Sequence, residues 1–293
     1  MSVTTSSVGR SLLTVGRRRQ LTAGLLVTPA LGLILLLFMI PLVRLIVHSF
    51  TTPTLGLQNY SDALMDRTTW RIIRITIEIA FECTAVSLLI GYPVAYLMAT
   101  SSKRATKVIL LFVLLPFWTS ILVRMYAWMI ILGTKGMIND ALLAARVIDD
   151  PVKLLYTRFA VILGMIHYLL PFMILSLYST MTGIDRDLMQ SSSTLGASGW
   201  QSFWRVYFPL SAPGVFAGSL LVFILGLGFF VTPALLGGPR DTTMPMYIQQ
   251  RVAVLQFDQA TAIAVVLVVI VLILFAIYDR ILGFDRLFGG LGT

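Results

Sequence analysis

Charge is what this sequence has least of. Asp, Glu, Lys and Arg make up 12% of it, against about 25% in a soluble globular chain. That shortage excludes an ordinary water-soluble fold. Cysteine occurs once, at Cys83, which excludes an internal disulfide and a Cys-rich metal site. The two histidines, His48 and His167, have no metal-ligand partner at useful spacing. Glutamate is confined to Glu78 and Glu82. No Gly-Lys dipeptide occurs anywhere, so the chain has no phosphate-binding P-loop. A nucleophile with its base, as an intramembrane enzyme needs, is missing too. The net charge of +9 comes from basic residues scattered over short loops. Without a basic, aromatic groove they do not suggest nucleic acid.

What the chain has is apolar length. It is 57% hydrophobic, with a mean hydropathy of +0.89. Runs of about 20 apolar residues mark membrane spans. Six are expected, at 22–48, 77–99, 107–132, 159–181, 210–236 and 260–282. The fold class is therefore all-α and polytopic. Residues 1–21 and 283–293 form terminal segments on either side of a 22–282 membrane domain. Pro29 and Pro41 fall inside the first span, where neighbouring helices can satisfy freed carbonyls. That first run is too long for a signal-peptide core and lacks a convincing cleavage site, so it reads as an uncleaved span. The Arg17–Arg19 cluster puts the N-terminus in the cytoplasm by the positive-inside rule. Lys103, Arg104 and Lys107 then fall on the same side, as do 185–209 and the C-terminus. Leu-Leu-Pro-Phe occurs at 114–117 and again at 169–172, but the flanking residues do not match.

The interval from Asp185 to Pro213 stands apart from the apolar runs. Asp185 can cap a short helix reaching about Thr194, and residues 196–199 interrupt it. Ser198 and Gln201 have the spacing of a capping box and can start a second helix. Pro209 is expected to end it. Leu188 and Leu195 lie two turns apart on one face, and Trp200, Phe203 and Trp204 give the second helix an apolar face. Two readings follow: a loop lying on the bilayer, or a docking element for a soluble partner.

This stretch resembles the coupling loop of binding-protein-dependent ABC importer permeases. That family carries Glu-Ala-Ala, three residues, Gly, an amphipathic run and a Pro-containing end. The matching positions here are Gln190, Ser191, Ser192, Gly196, Phe203, Pro209 and Pro213. Gln stands where the family has Glu, and two Ser replace two Ala. Elsewhere Asn59-Tyr60, the run Gly91 to Tyr96, Leu115 to Ser120, Leu122-Val123-Arg124, Tyr126-Ala127-Trp128, Phe230 to Pro233, Leu236 to Pro239 and Gln256-Phe257 resemble the B-type permeases of spermidine/putrescine importers. The same subfamily also serves opines, aminoethylphosphonate, thiamine and ferric iron.

The resemblance implies a type I importer permease of the bacterial inner membrane, with the coupling loop at 185–208. No cofactor would bind this chain, and ATP-Mg would be used by partner ATPase subunits. The further partners implied are a second, C-type permease, a periplasmic solute-binding protein and membrane lipid. The competing class is an ion-coupled carrier, which usually shows more spans, paired repeats and acidic residues at mid-depth.

Several residues in the spans carry chemistry. Glu78 and Glu82 share one helix face and repel, so each needs a cation. Arg74, one turn earlier, offers a structural pairing; receiving a cationic solute is the functional alternative. Arg124 is expected to pair with Glu82 or Glu78, or else to meet an anionic solute. Trp118, Tyr126 and Trp128 are expected around it, as a cation–π set or as packing. Gly214 and Gly218 form a GxxxG pair for close helix approach. Phe229 or Phe230 is a candidate apolar gate in a pathway lined by the fifth span. His167 reads as a hydrogen-bonded structural residue.

Overall fold

A computed structural model describes residues 8–51 and 55–282. Among them there is no strand. Three helices make the centre: α3 (Arg67–Thr100), α7 (Arg158–Met181) and α10 (Phe208–Leu227). Asp66 caps α3 by accepting from the Thr68 amide at 2.8 Å. That bond holds its carboxyl below the usual carboxylate range. Ile79, Cys83, Ala95 and Met98 of α3 pack with Met165, Leu169, Met173 and Leu177 of α7 and with Val222 of α10.

Small residues let these helices approach. A Cβ added at Gly214 would stand 2.7 Å from Thr180 Cβ, and one at Gly218 would stand 2.9 Å from Met173 Sδ. The expected GxxxG face of α10 is thus the face pressed on α7. Where lipid is as apolar as leucine, such close packing supplies the association that water supplies in soluble proteins.

The outer helices are arranged around this centre. α1 (Val8–Thr51) runs along α13 (Phe257–Leu282). Leu33, Leu36, Leu37 and Phe38 of α1 are exposed. Apolar side chains outside are what a hydrocarbon solvent requires. α2 (Gln58–Met65) and α12 (Met244–Ala253) pack with the start of α3 and with α13 around Ile72, Ile73, Met244 and Ile263.

Five described helical segments are long and apolar enough to cross a membrane: Leu31–Thr51, Ile121–Ala144, Arg158–Met181, Gly199–Leu227 and Phe257–Tyr278. The expected span at 77–99 lies inside α3, which is 34 residues long.

Two expected spans are broken. The run 107–132 is divided into α4 (Lys103–Leu114), a 3₁₀ turn at Leu115–Trp118 and α5 (Ile121–Leu132). Pro116 has no amide to continue the helical ladder, and Thr119 turns extended at ψ 142°. The run 210–236 is likewise divided, because α10 stops at Leu227 and α11 (Val231–Leu236) restarts after Phe230. Pro233 lies in the first turn of α11, where no intrahelical bond is asked of its nitrogen. Hydropathy averages over a window and cannot see either break.

After α5 comes α6 (Met137–Ala144). Asn139, fully buried, donates to Gly133 O and Val152 O and accepts from the Val152 amide. One side chain thereby closes the long connection to α7.

Candidate functional site

The 185–208 stretch folds as two short helices. α8 (Arg186–Thr194) is capped by Asp185, which accepts from the Asp187 amide at 3.0 Å. Gly196 ends it at φ +86°, a backbone angle that favours glycine. The Gly196 amide donates to Ser193 O and the Ala197 amide to Ser192 O. This is a Schellman closure, and it gives the Gly a physical reason for its position. Ser198 and Gln201 then form a full capping box for α9 (Gly199–Ser202). Ser192 Oγ and Ser202 Oγ lie 2.7 Å apart and join the two helices.

Pro209 does not end the second helix. A π-helical turn at Phe203–Tyr207 carries α9 straight into α10, with Pro209 in α10's first turn. The Phe208 amide reaches back five residues to Phe203 O. That wider turn absorbs the amide Pro209 lacks, so the chain bends its hydrogen-bond pattern instead of breaking.

Phe203 anchors the stretch. Its ring lies 5.7 Å from Tyr96 and 6.1 Å from Tyr92, both on α3, and 6.0 Å from Tyr207. Tyr92 and Ser211 hydroxyls meet at 2.8 Å. Tyr207 is buried and Met189 packs beside it, whereas Leu195 is 88% exposed and Trp200 72%, with Leu188 and Trp204 also exposed. Gln190 and Ser191 are exposed, and Gln190 lines a cleft of about 650 Å³ with Lys103, Lys107 and Asp185.

A second group lies at the start of α7. Arg158 holds Glu82 by two bonds, Nε to Oε2 at 3.0 Å and Nη2 to Oε1 at 2.6 Å. Its Nη1 reaches Glu78 Oε2 at 3.0 Å, and Arg74 reaches Glu78 Oε1 at 2.7 Å. The expected Arg74–Glu78 pair is present. The expected pairing of Arg124 with either glutamate is not. Arg158 takes that place because α3 packs directly on α7, whereas α5 packs on α7 and α11. Two glutamates one turn apart signal a shared forked cation, but the sequence alone does not say which arginine folds back onto them.

Arg124 instead lies against α7. Its guanidinium carbon is 5.4 Å from the Tyr168 ring centre. Trp128, four residues on and so on the same face, donates its indole N–H to His167 Nδ1 at 3.0 Å. Phe229 meets Tyr168 at 5.0 Å. Arg124, Trp128, His167, Tyr168 and Phe229 thus form one cluster beside the break between α10 and α11. Trp118 and Tyr126 do not join it. Trp118 is 76% exposed and Tyr126 56%. Two residues along a helix turn a side chain to the opposite face, which puts Tyr126 outside. Phe230 is 38% exposed and has no part in the cluster. Tyr168 and Arg158 are the members that sequence reasoning missed.

Residues 91–284 match the family described as binding-protein-dependent transport system inner membrane component. The spermidine/putrescine transport system permease protein PotB of Escherichia coli (strain K12) is 33% identical over 233 residues, covering 79% of this chain and 84% of that protein. PotB of Haemophilus influenzae is 37% identical over 198 residues, covering 67% and 69%. A putative 2-aminoethylphosphonate transport system permease protein, PhnU of Salmonella paratyphi A, is 30% identical over 210 residues, covering 69% and 71%. A chain of a bacterial alginate ABC transporter, solved in complex with an alginate-bound periplasmic protein, has the same fold, with TM-score 0.74 and 21% identity over 91% of this chain and 95% of that one. The chain belongs to the binding-protein-dependent transport system inner membrane components and is a multi-pass, inner-membrane permease of an ABC importer.

Proposed function

We propose that this permease moves a polyamine, spermidine or putrescine, and that residues 185–208 take the thrust of a partner ATPase pair. The substrate reading is supported by the similarity to PotB, which extends over 233 residues. The coupling role rests on one observation above the rest. Two capped short helices, locked through Ser192 and Ser202, turn Leu188, Leu195, Trp200 and Trp204 outward. Gln190, Ser191, Gly196 and Pro209 border that surface, and Phe203 ties it to α3. Gln190 provides hydrogen bonding without a charge, so its contact with the ATPase is a neutral hydrogen bond and not a salt bridge.

In this reading both termini and the 185–208 stretch are cytoplasmic, and α3 is a sixth span. ATP-Mg is handled by the ATPases alone, and this chain does no chemistry. A periplasmic binding protein delivers the solute, and a C-type permease completes the membrane pore. ATPase closure moves 185–208, and the direct passage of α9 into α10 passes that motion to the break at 228–230. The bundle then alternates between two states as rigid parts. Glu78 and Glu82, with Arg158 and Arg74, stand at the periplasmic mouth, and Phe229 lines the pathway. Trp118, Tyr126 and Phe230 face outward and serve packing against lipid or a partner.

The test is ATPase activity of the reconstituted complex with its binding protein and a solute panel. Stimulation by spermidine or putrescine is expected. Stimulation by 2-aminoethylphosphonate, with none by polyamines, overturns the substrate reading.

A further inference from the structure

The cleft beside α8 has a volume of about 650 Å³, within the range of pockets that hold small ligands. Four helix ends meet around it: α3 stops at Thr100 and α7 at Met181, while α4 starts at Lys103 and α8 at Arg186. Its lining is mixed, with Met98, Leu110 and Met181 apolar and Lys103 and Lys107 cationic. Both lysines are exposed, and among the described residues neither is held in an ion pair. The one carboxylate in the lining, Asp185, already accepts from the Asp187 amide as the cap of α8. Two cations one turn apart repel each other, and a single engaged anion leaves the cleft suited to a further negative group.

The chemistry of that group follows from α4. Lys103, Lys107 and Leu110 stand at i, i+4 and i+7, on one stripe of the helix, and all three line the cleft. Val108, Leu111 and Phe112 beside that stripe are exposed, as side chains facing lipid are. The cationic end of the stripe therefore continues into an apolar surface. A soluble phosphate would use only the first; an amphiphile with a negative head and an acyl tail uses both. The cleft also lies on a different side of α8 from the docking surface. Asp185 and Met189, one turn apart, line the cleft, whereas Leu188 and Leu195, two turns apart, are exposed. An ATPase seated on Leu188 and Leu195 is on another face.

We infer that this cleft binds an anionic membrane phospholipid, with its phosphate between Lys103 and Lys107 and an acyl chain along Leu110 and Leu111. Bound there, the lipid joins α8 to the start of α4. The site stands on the cleft alone; its effect on coupling rests on the coupling role of 185–208.

The experiment uses the full importer in vesicles of phosphatidylcholine with graded amounts of phosphatidylglycerol. Phosphatidylglycerol retained on this chain is counted by native mass spectrometry, which needs neither solute nor ATP. One tightly retained molecule is expected. Lys103→Gln with Lys107→Gln should weaken its retention by roughly thirtyfold. Thr182→Trp, which fills the cleft without changing charge, should also release it. Arg104→Gln removes an exposed base outside the lining and should keep it. Equal loss for Arg104→Gln would mean diffuse attraction to the surface and would overturn the inference. Phosphatidylcholine retained as strongly, or displacement of the lipid by inorganic phosphate alone, would overturn it too. Solute-stimulated ATPase activity in the same vesicles should fall when the lipid is lost; if it survives that loss, the lipid has no part in coupling.

Discussion

The bundle centre and the 185–208 stretch are held together by different physics. At the centre, α3, α7 and α10 meet through glycines and buried methionine and leucine side chains. The side chains at those contacts are buried, while Phe81, Leu89 and Leu221 on the outer faces of α3 and α10 are exposed. The 185–208 stretch has almost no core. A Schellman turn, a capping box and one hydroxyl pair fix its backbone, and Phe203 pins it to α3. Leu188, Leu195, Trp200 and Trp204 are left exposed. The first region is built to be finished within the chain; the second is built rigid but unfinished, as a surface awaiting a partner requires.

Substitutions should separate the two. The largest loss of stability is expected for Gly214→Leu. The new side chain meets Thr180 at the closest approach of α7 and α10, costing about 3 kcal/mol or preventing assembly. Thermal melting in detergent measures it, and a wild-type melting point contradicts the close approach. Phe203→Ala comes next, at about 2 kcal/mol, since the ring is half-buried among Tyr92, Tyr96 and Tyr207. It should also uncouple ATPase activity from transport, because the stretch loses its hold on α3.

Smaller still is the Arg158 group. Arg158→Gln and Glu82→Gln should each cost roughly 1 kcal/mol, since both side chains are about one-third exposed and screened. A double-mutant cycle should give a coupling of similar size, and additive effects would mean the forked pair contributes nothing. The smallest stability effect belongs to Leu195→Asp. At 88% exposure it should change the melting point by no more than about 0.5 kcal/mol allows.

The sequence made these regions legible to different depths. The 185–208 helices were readable almost residue by residue, because caps and a C-terminal glycine are local signals: Asp185, Gly196, Ser198 and Gln201 all stand where spacing put them. Pro209 misled, since its effect depended on whether the turn before it could widen. In the spans, length was readable but continuity was not. Pro116 and Pro233 mark the breaks, yet a proline in a membrane helix is often tolerated, so the residue alone does not decide. The long-range partners were least readable. Arg158 meets Glu82 from 76 residues away, and only the packing of α3 on α7 brings it there. The same packing turns Arg124 toward Tyr168, away from both glutamates.

The coupling role of 185–208 is tested most directly by solute-stimulated ATPase activity of the assembled importer carrying Leu195→Asp. A complex that melts and assembles as wild type does is expected, with stimulation lost because a charge now sits in the docking surface. Stimulation equal to wild type, in the same intact complex, would contradict the assignment of 185–208 as the coupling element.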